Sequence, residues 1–111
     1  MVLLTLAGAG SGQAREPAPS PAQKVYLAFC QGCHGATGQG DGLVAANLPR
    51  PPPDFSSVAW QRTRTDDQIK DAIRSGMTGK GGSTAMPAFE KVLTKAQVDQ
   101  VTALIRVMDG M

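Results

Sequence analysis

The sequence has few side chains that fill a protein core. Its 111 residues include only three phenylalanines, one tyrosine and one tryptophan, against 13 glycines and 8 prolines. Glycine and proline stiffen or punctuate loops without filling volume. A chain this short also buries only a modest fraction of its surface on folding. We therefore expect a bulky apolar group from outside the chain to complete the core.

Charge of one sign is not concentrated anywhere in the chain. Eleven Lys and Arg residues stand against nine Asp and Glu, a formal net charge of +2, and the basic residues are scattered. Nucleic-acid binding proteins usually carry a basic patch or run. The sequence therefore predicts no nucleic-acid partner.

A hydrophobic run long enough to cross a membrane is also missing. Residues 2–10 are apolar, but a spanning helix needs about 20 such residues. Gly12-Gln13-Ala14 follows with the small-x-small pattern of a signal-peptidase site. We interpret residues 1–14 as the remnant of an export signal, 15–19 as a flexible leader and 20–111 as the domain. A membrane anchor or a structured segment is the alternative for the first residues.

Three capping boxes predict three helices, and no segment alternates as a strand would. Ser20, Thr65 and Thr94 are each followed three residues later by glutamine, which favours a helix start. Apolar residues at helical spacing extend the helices to about residue 31, to residue 75 before Gly76, and to near Gly110. Residues 35–64 lack periodicity and predict a long loop, of the kind that wraps a functional group. The fold class is therefore all-α.

Cys30-Gln31-Gly32-Cys33-His34 contains the only cysteines and the only histidine of the chain. This spacing matches the C-x-x-C-H sequence that attaches a c-type haem. Two thiols at this spacing reach two edges of one porphyrin, and the adjacent imidazole becomes an axial ligand of the iron. A small disulfide, a zinc site short of ligands and a thioredoxin-like redox pair are the alternatives.

With these features the chain resembles a class I cytochrome c of the small bacterial periplasmic kind. The resemblance covers about residues 20–110, including the Gly40-Asp41-Gly42 turn and the Met86-Pro87 loop. It implies a cytochrome c fold around one covalent haem c, N- and C-terminal helices that cross, and electron transfer. It also implies that the Leu43 carbonyl, where many relatives have proline, receives the proton of the His34 imidazole. We expect an exported, soluble, periplasmic monomer that exchanges electrons with redox protein partners.

The second axial ligand is expected to be a methionine, because no other histidine is present. Met86 precedes Pro87 in a glycine-rich loop, where its side chain can be held at one depth. Met77, which follows Gly76, is the less favoured alternative. Met108 belongs to the apolar stripe of the last helix, where core packing explains it better.

Two further residues are candidates for haem contacts. Arg50 can neutralise a haem propionate, and Trp60 can donate its indole N–H to one. Filled axial positions favour a diffusible electron carrier over an enzyme. The alternatives are an electron-transfer subunit of a larger oxidoreductase and a haem ligand sensor whose methionine is displaced.

Overall fold

The computed structural model describes residues 17–77 and 85–110, and in these ranges the chain is helical without a strand. The predicted signal remnant at residues 1–14 lies outside the described residues. The α-helices are α1 (Pro21–Phe29), α2 (Gln31–His34), α3 (Val58–Arg62), α4 (Asp66–Ser75) and α5 (Lys95–Arg106). Short 3-10 helices span Ala45–Asn47 and Met108–Gly110. The all-α prediction is confirmed.

The three longer helices begin at the predicted capping boxes. Before α1, the Ser20 hydroxyl accepts the Gln23 N–H at 3.1 Å, and the Gln23 side chain accepts the Ser20 N–H at 2.7 Å. The same pair of bonds precedes α4 and α5. Each box gives partners to two N–H groups that the helix itself cannot satisfy. Side-chain chemistry in the sequence thus fixes where these helices start.

The core lies where α1 and α4 pack against α5. Helix α5 contributes the largest apolar face, and Val101 is completely buried. Burying such a side chain fully stabilises the fold by about 1.5–3 kcal/mol. The expected contact between the N- and C-terminal helices is confirmed. The buried apolar residues of these helices are Val25, Tyr26, Ile69, Ile73, Val98, Val101 and Ile105.

Two boundaries differ from the sequence-based expectation. The segment 35–64, expected to be a loop, contains α3, whose start is capped by the Ser57 hydroxyl accepting the Trp60 N–H at 3.1 Å. Five residues make little more than one helical turn, so no apolar periodicity reveals them. Helix α5 ends at Arg106 and a 3-10 turn carries the chain onward, so that Met108 is still buried.

Within the described residues, no helix combines the length and the apolar character that crossing a membrane requires.

Candidate haem site

One tight turn brings together the three residues of the attachment sequence. Cys30 ends α1 by donating its N–H to the Tyr26 carbonyl at 2.9 Å, and its own carbonyl accepts the His34 N–H at 2.9 Å. The one-turn helix α2 thereby places Cys33 and His34 beside Cys30. Both cysteines are free and half-buried. The turn therefore presents two thiols and one imidazole from five consecutive residues.

The loop of residues 40–44 is hydrogen-bonded to this turn through its backbone. Its N–H groups donate to three carbonyls at the end of α2, which the helix leaves without partners. These bonds are Gly40 to His34 at 2.8 Å, Gly42 to Cys33 at 3.1 Å and Val44 to Gly32 at 2.8 Å. A Cβ on Gly42 would lie 2.6 Å from the Gln31 carbonyl oxygen. Glycine at 42 thus permits the close approach that fixes the turn.

The Tyr26 hydroxyl pins the residue that follows the turn. It donates to the Gly35 carbonyl at 2.6 Å, and the tyrosine is buried. Burial, with smaller contributions from Cys30 and Asp41, raises the pKa of Tyr26, so the hydroxyl stays a donor. At the end of the same helix, burial raises the pKa of the Cys30 thiol to about 11, with a smaller contribution from Cys33. Helix α1 is therefore tied to the attachment turn by a side-chain bond as well as by the backbone.

The His34 imidazole lies against the Phe55 ring, with the ring centroids 4.6 Å apart and the planes 17° from parallel. Burial lowers the pKa of His34 to about 4, so the ring is neutral at neutral pH. A neutral imidazole is the form that binds a metal. Nδ1 is buried, and none of the described residues gives it a hydrogen-bond partner.

The predicted bond from the imidazole to the Leu43 carbonyl is thus not formed in this structure. The Leu43 side chain is 97% exposed, on the loop that holds the turn. The amides at 42 and 44, on either side of Leu43, are already committed to the carbonyls of α2.

The Met86 segment is bonded along the C-terminal end of α4. The Met86 carbonyl accepts the Met77 N–H at 3.1 Å, and the Phe89 N–H donates to the Ile73 carbonyl at 2.9 Å. Gly76 has φ +73°, and a Cβ on it would lie 2.8 Å from the Met86 oxygen. Met86 is half-buried against the core. Because its carbonyl is bonded to the Met77 N–H, the two candidate ligands lie side by side. Residues 78–84 between them lie outside the described part of the chain.

The other predicted contacts differ in their surroundings. Trp60 is half-buried and packs on Phe55 with ring centroids 4.9 Å apart, while the Arg64 guanidinium lies 5.8 Å from the Trp60 ring. Arg50 is exposed on the long loop. The structure therefore brings Trp60, but not Arg50, into the packed cluster around His34.

Sequence reasoning missed Gln61, a buried polar residue next to this cluster. Its side-chain amide donates to the carbonyls of Phe55 and Ile105. A single glutamine between Trp60 and Arg62 looks like a surface residue in the sequence. Only its position inside the unpredicted helix α3 would have indicated burial.

The donor set fits a covalently bound haem better than the alternatives. The two cysteines do not form a disulfide. Across residues 17–77 and 85–110, no three His, Cys, Asp or Glu side chains gather as a metal cluster would require. Free thiols, a neutral imidazole whose buried Nδ1 has no partner among the described residues, and a thioether packed against the core match the attachment and axial chemistry of haem c. Cys30, Cys33, His34 and Met86 are the residues that would hold it.

Comparison with known proteins agrees with this chemistry. Residues 17–105 match the family described as cytochrome c oxidase, cbb3-type, subunit III. No curated protein matches the chain significantly. Among solved structures, the chain is similar to the KustC0563 c-type cytochrome, with 27% identity and a TM-score of 0.63 over 77% of this chain and 93% of that one.

Two further structures share the fold. A point mutant of Kustc0563 has 21% identity and a TM-score of 0.65, over 80% of this chain and 99% of that one. A chain of the Kuenenia stuttgartiensis reducing HAO-like protein complex Kustc0457/Kustc0458 has 24% identity and a TM-score of 0.61, over 85% of this chain but 42% of that one. This chain therefore spans less than half of the latter. On the family match and these structures, the chain belongs to the cbb3-type cytochrome c family and is a class I monohaem cytochrome c, with one covalently bound haem for electron transfer.

Proposed function

We propose that the chain is a one-electron carrier in which Cys30 and Cys33 hold the haem by thioether bonds, and His34 and Met86 are the axial ligands. The bound haem supplies the redox chemistry, a reversible one-electron change at iron. The observation that carries the proposal is the α2 turn, which presents two free thiols beside a half-buried, neutral imidazole. This is the chemistry that covalent attachment and axial ligation need.

The surrounding residues keep these groups in place. The amides of residues 40–44 fix the carbonyls of α2, and the Phe55 ring restrains the imidazole. The backbone bond between Met77 and Met86 fixes the other candidate ligand at the end of α4. Side chains of the protein at both axial positions leave no site for a substrate. This arrangement supports a carrier rather than an enzyme.

The proposal extends to the place where the carrier works. The apolar residues 2–10 and the Gly12-Gln13-Ala14 pattern support export to the periplasm, with residues 20–111 as the mature domain after a short leader. There it would exchange electrons as a monomer with redox protein partners. Mass spectrometry of the protein purified from a native host tests this, since we expect an N-terminus at Arg15 and the added mass of one haem.

The ligand assignment is tested by replacing each methionine with alanine in the haem-loaded protein. We expect the oxidised wild type to be six-coordinate and low-spin. Met86→Ala should lower the reduction potential and produce high-spin iron, because a Met/His pair favours the reduced state. Met77→Ala, the matched control, should change neither. The reverse result would transfer the assignment to Met77, and high-spin wild-type iron would indicate the ligand sensor instead.

A second candidate function is an electron-transfer subunit of a larger oxidoreductase. The matched family is described by an oxidase subunit, and one similar chain, over twice as long, comes from a protein complex. Size-exclusion of a native extract, followed by haem absorption, separates the two functions. Haem that elutes at the mass of this chain alone supports the free carrier, and haem that elutes only with larger proteins supports the subunit.

A further inference from the structure

Gln61 is a buried polar side chain whose hydrogen-bonding groups are all used. It is 8% exposed, and its Nε2 donates to the Phe55 carbonyl at 2.9 Å and to the Ile105 carbonyl at 2.8 Å. Its Oε1 accepts from Nη1 of Arg106 at 2.9 Å. A buried amide costs free energy unless it is bonded in this way. Gln61 therefore has one stable orientation, which joins α3, α5 and the segment of Phe55.

Arg106 holds Gln61 from the end of α5. Besides Gln61 Oε1, its guanidinium donates to the Gln61 carbonyl at 2.9 Å, to the Arg64 carbonyl at 2.6 Å and to the Asp66 carboxylate at 2.7 Å. A planar guanidinium with several bonds has little freedom to move. The glutamine is thus part of a network anchored on three helices.

Phe55 connects this network to the candidate axial ligand. Its N–H donates to the Gly38 carbonyl at 2.6 Å, and its carbonyl accepts from Gln61. With both backbone groups bonded, the Phe55 ring is held between Trp60 and the His34 imidazole. Among the described residues, Nδ1 of His34 has no hydrogen bond. Stacking on Phe55 is therefore a contact that restrains rotation of the imidazole.

We propose that Gln61 is a positioning residue for the axial imidazole: by fixing Phe55, it sets the plane in which the His34 ring lies. The inference rests on the proposed function, in which His34 ligates the iron. Groups around an axial ligand orient it and tune the metal, even when they do not touch the metal. Gln61 acts through Phe55, and Arg106 acts through Gln61.

The test uses the haem-loaded protein with Gln61→Glu. Glutamate keeps the acceptor for Arg106 but has no amide protons for the carbonyls of Phe55 and Ile105. Asp66→Asn is the matched control, because it alters the exposed end of the network and leaves Gln61 bonded to Arg106. The measurements are the principal g-values of the oxidised iron, which report the plane of the imidazole, the reduction potential, and the melting temperature.

We expect Gln61→Glu to shift the g-values and the reduction potential, and Asp66→Asn to change only the melting temperature. Arg106→Lys keeps the charge but loses most hydrogen bonds of the planar guanidinium. It should shift the g-values in the same direction by less. If Gln61→Glu does not fold, Arg106→Lys provides the test in its place. A Gln61→Glu protein with a lower melting temperature but wild-type g-values and potential would overturn the inference alone. A wild type without low-spin iron would overturn the proposed function and the inference with it.

Discussion

Replacing Gly76 with alanine disturbs the Met86 segment without changing either methionine. Gly76 ends α4 with φ +73° and ψ −179°, a conformation that only glycine adopts readily. A Cβ there would lie 2.8 Å from three backbone atoms, the Met86 oxygen, the Pro87 carbonyl carbon and the Ala88 nitrogen. Backbone atoms cannot rotate away as the end of a flexible side chain can. The segment itself must therefore move.

The loss of stability in Gly76→Ala has two causes, the strained backbone conformation and the close contact of the added Cβ. An L-residue forced into this backbone conformation costs about 1–3 kcal/mol. Forcing an extra methyl group into a packed contact costs about 1–3 kcal/mol more. The free energy of unfolding of Gly76→Ala should therefore fall by about 2–6 kcal/mol if the segment stays in place, and by less if the segment moves and relieves the clash.

Two measurements separate these outcomes. Denaturant unfolding of the haem-loaded protein gives the stability, and the far-red absorption band of thioether-ligated ferric haem reports whether the methionine remains bound. We expect Gly76→Ala to lose stability, to lose the band, or both. Gly110→Ala is the control, because an added Cβ at Gly110 meets nothing within 4 Å. If Gly76→Ala matched Gly110→Ala in both measurements, the close approach at Gly76 would not be what places the segment.

Two further predictions concern other parts of the fold. Tyr26→Phe should lower the free energy of unfolding by about 0.5–1.5 kcal/mol, measured by denaturant titration, because the buried bond to the Gly35 carbonyl is lost; an unchanged value would contradict this. The ammonium groups of Lys70 and then Lys95, each 3.2 Å from an Asp99 carboxylate oxygen, hold the pKa of Asp99 below its usual range. This stabilisation is complete above the unfolded-state pKa and is lost as the pH falls through the lowered folded-state pKa. The difference in stability between wild type and Asp99→Asn should therefore shrink on acidification through that window, and a difference independent of pH would refute the assignment.

The sequence predicted the parts of the fold that depend on local chemistry. Ser20, Thr65 and Thr94 each cap a helix through the expected glutamine, and Gly76 ends α4. Residues within one capping box are close in the chain, so the sequence alone shows their contact. The cytochrome c fold is predicted by the pentapeptide after the first helix together with the Gly40-Asp41-Gly42 turn, the Met86-Pro87 loop and the C-terminal helix.

What the sequence could not show are contacts between distant segments. Gln61 and Ile105 are joined by a hydrogen bond across 44 positions, and nothing in either residue's neighbourhood indicates the other. Helix α3 is too short for a periodic pattern. The attachment and ligation roles of Cys30, Cys33, His34 and Met86 remain predictions, which the spectra and masses described above will test.

The capping boxes have a consequence for acid resistance. In each, the residue that reaches back is glutamine, whereas glutamate is the other common choice. A carboxylate accepts hydrogen bonds less well once it is protonated, but an amide oxygen keeps its acceptor strength at every pH. The reciprocal bonds of the three capping boxes therefore contain no proton-sensitive partner, and acidification leaves them intact.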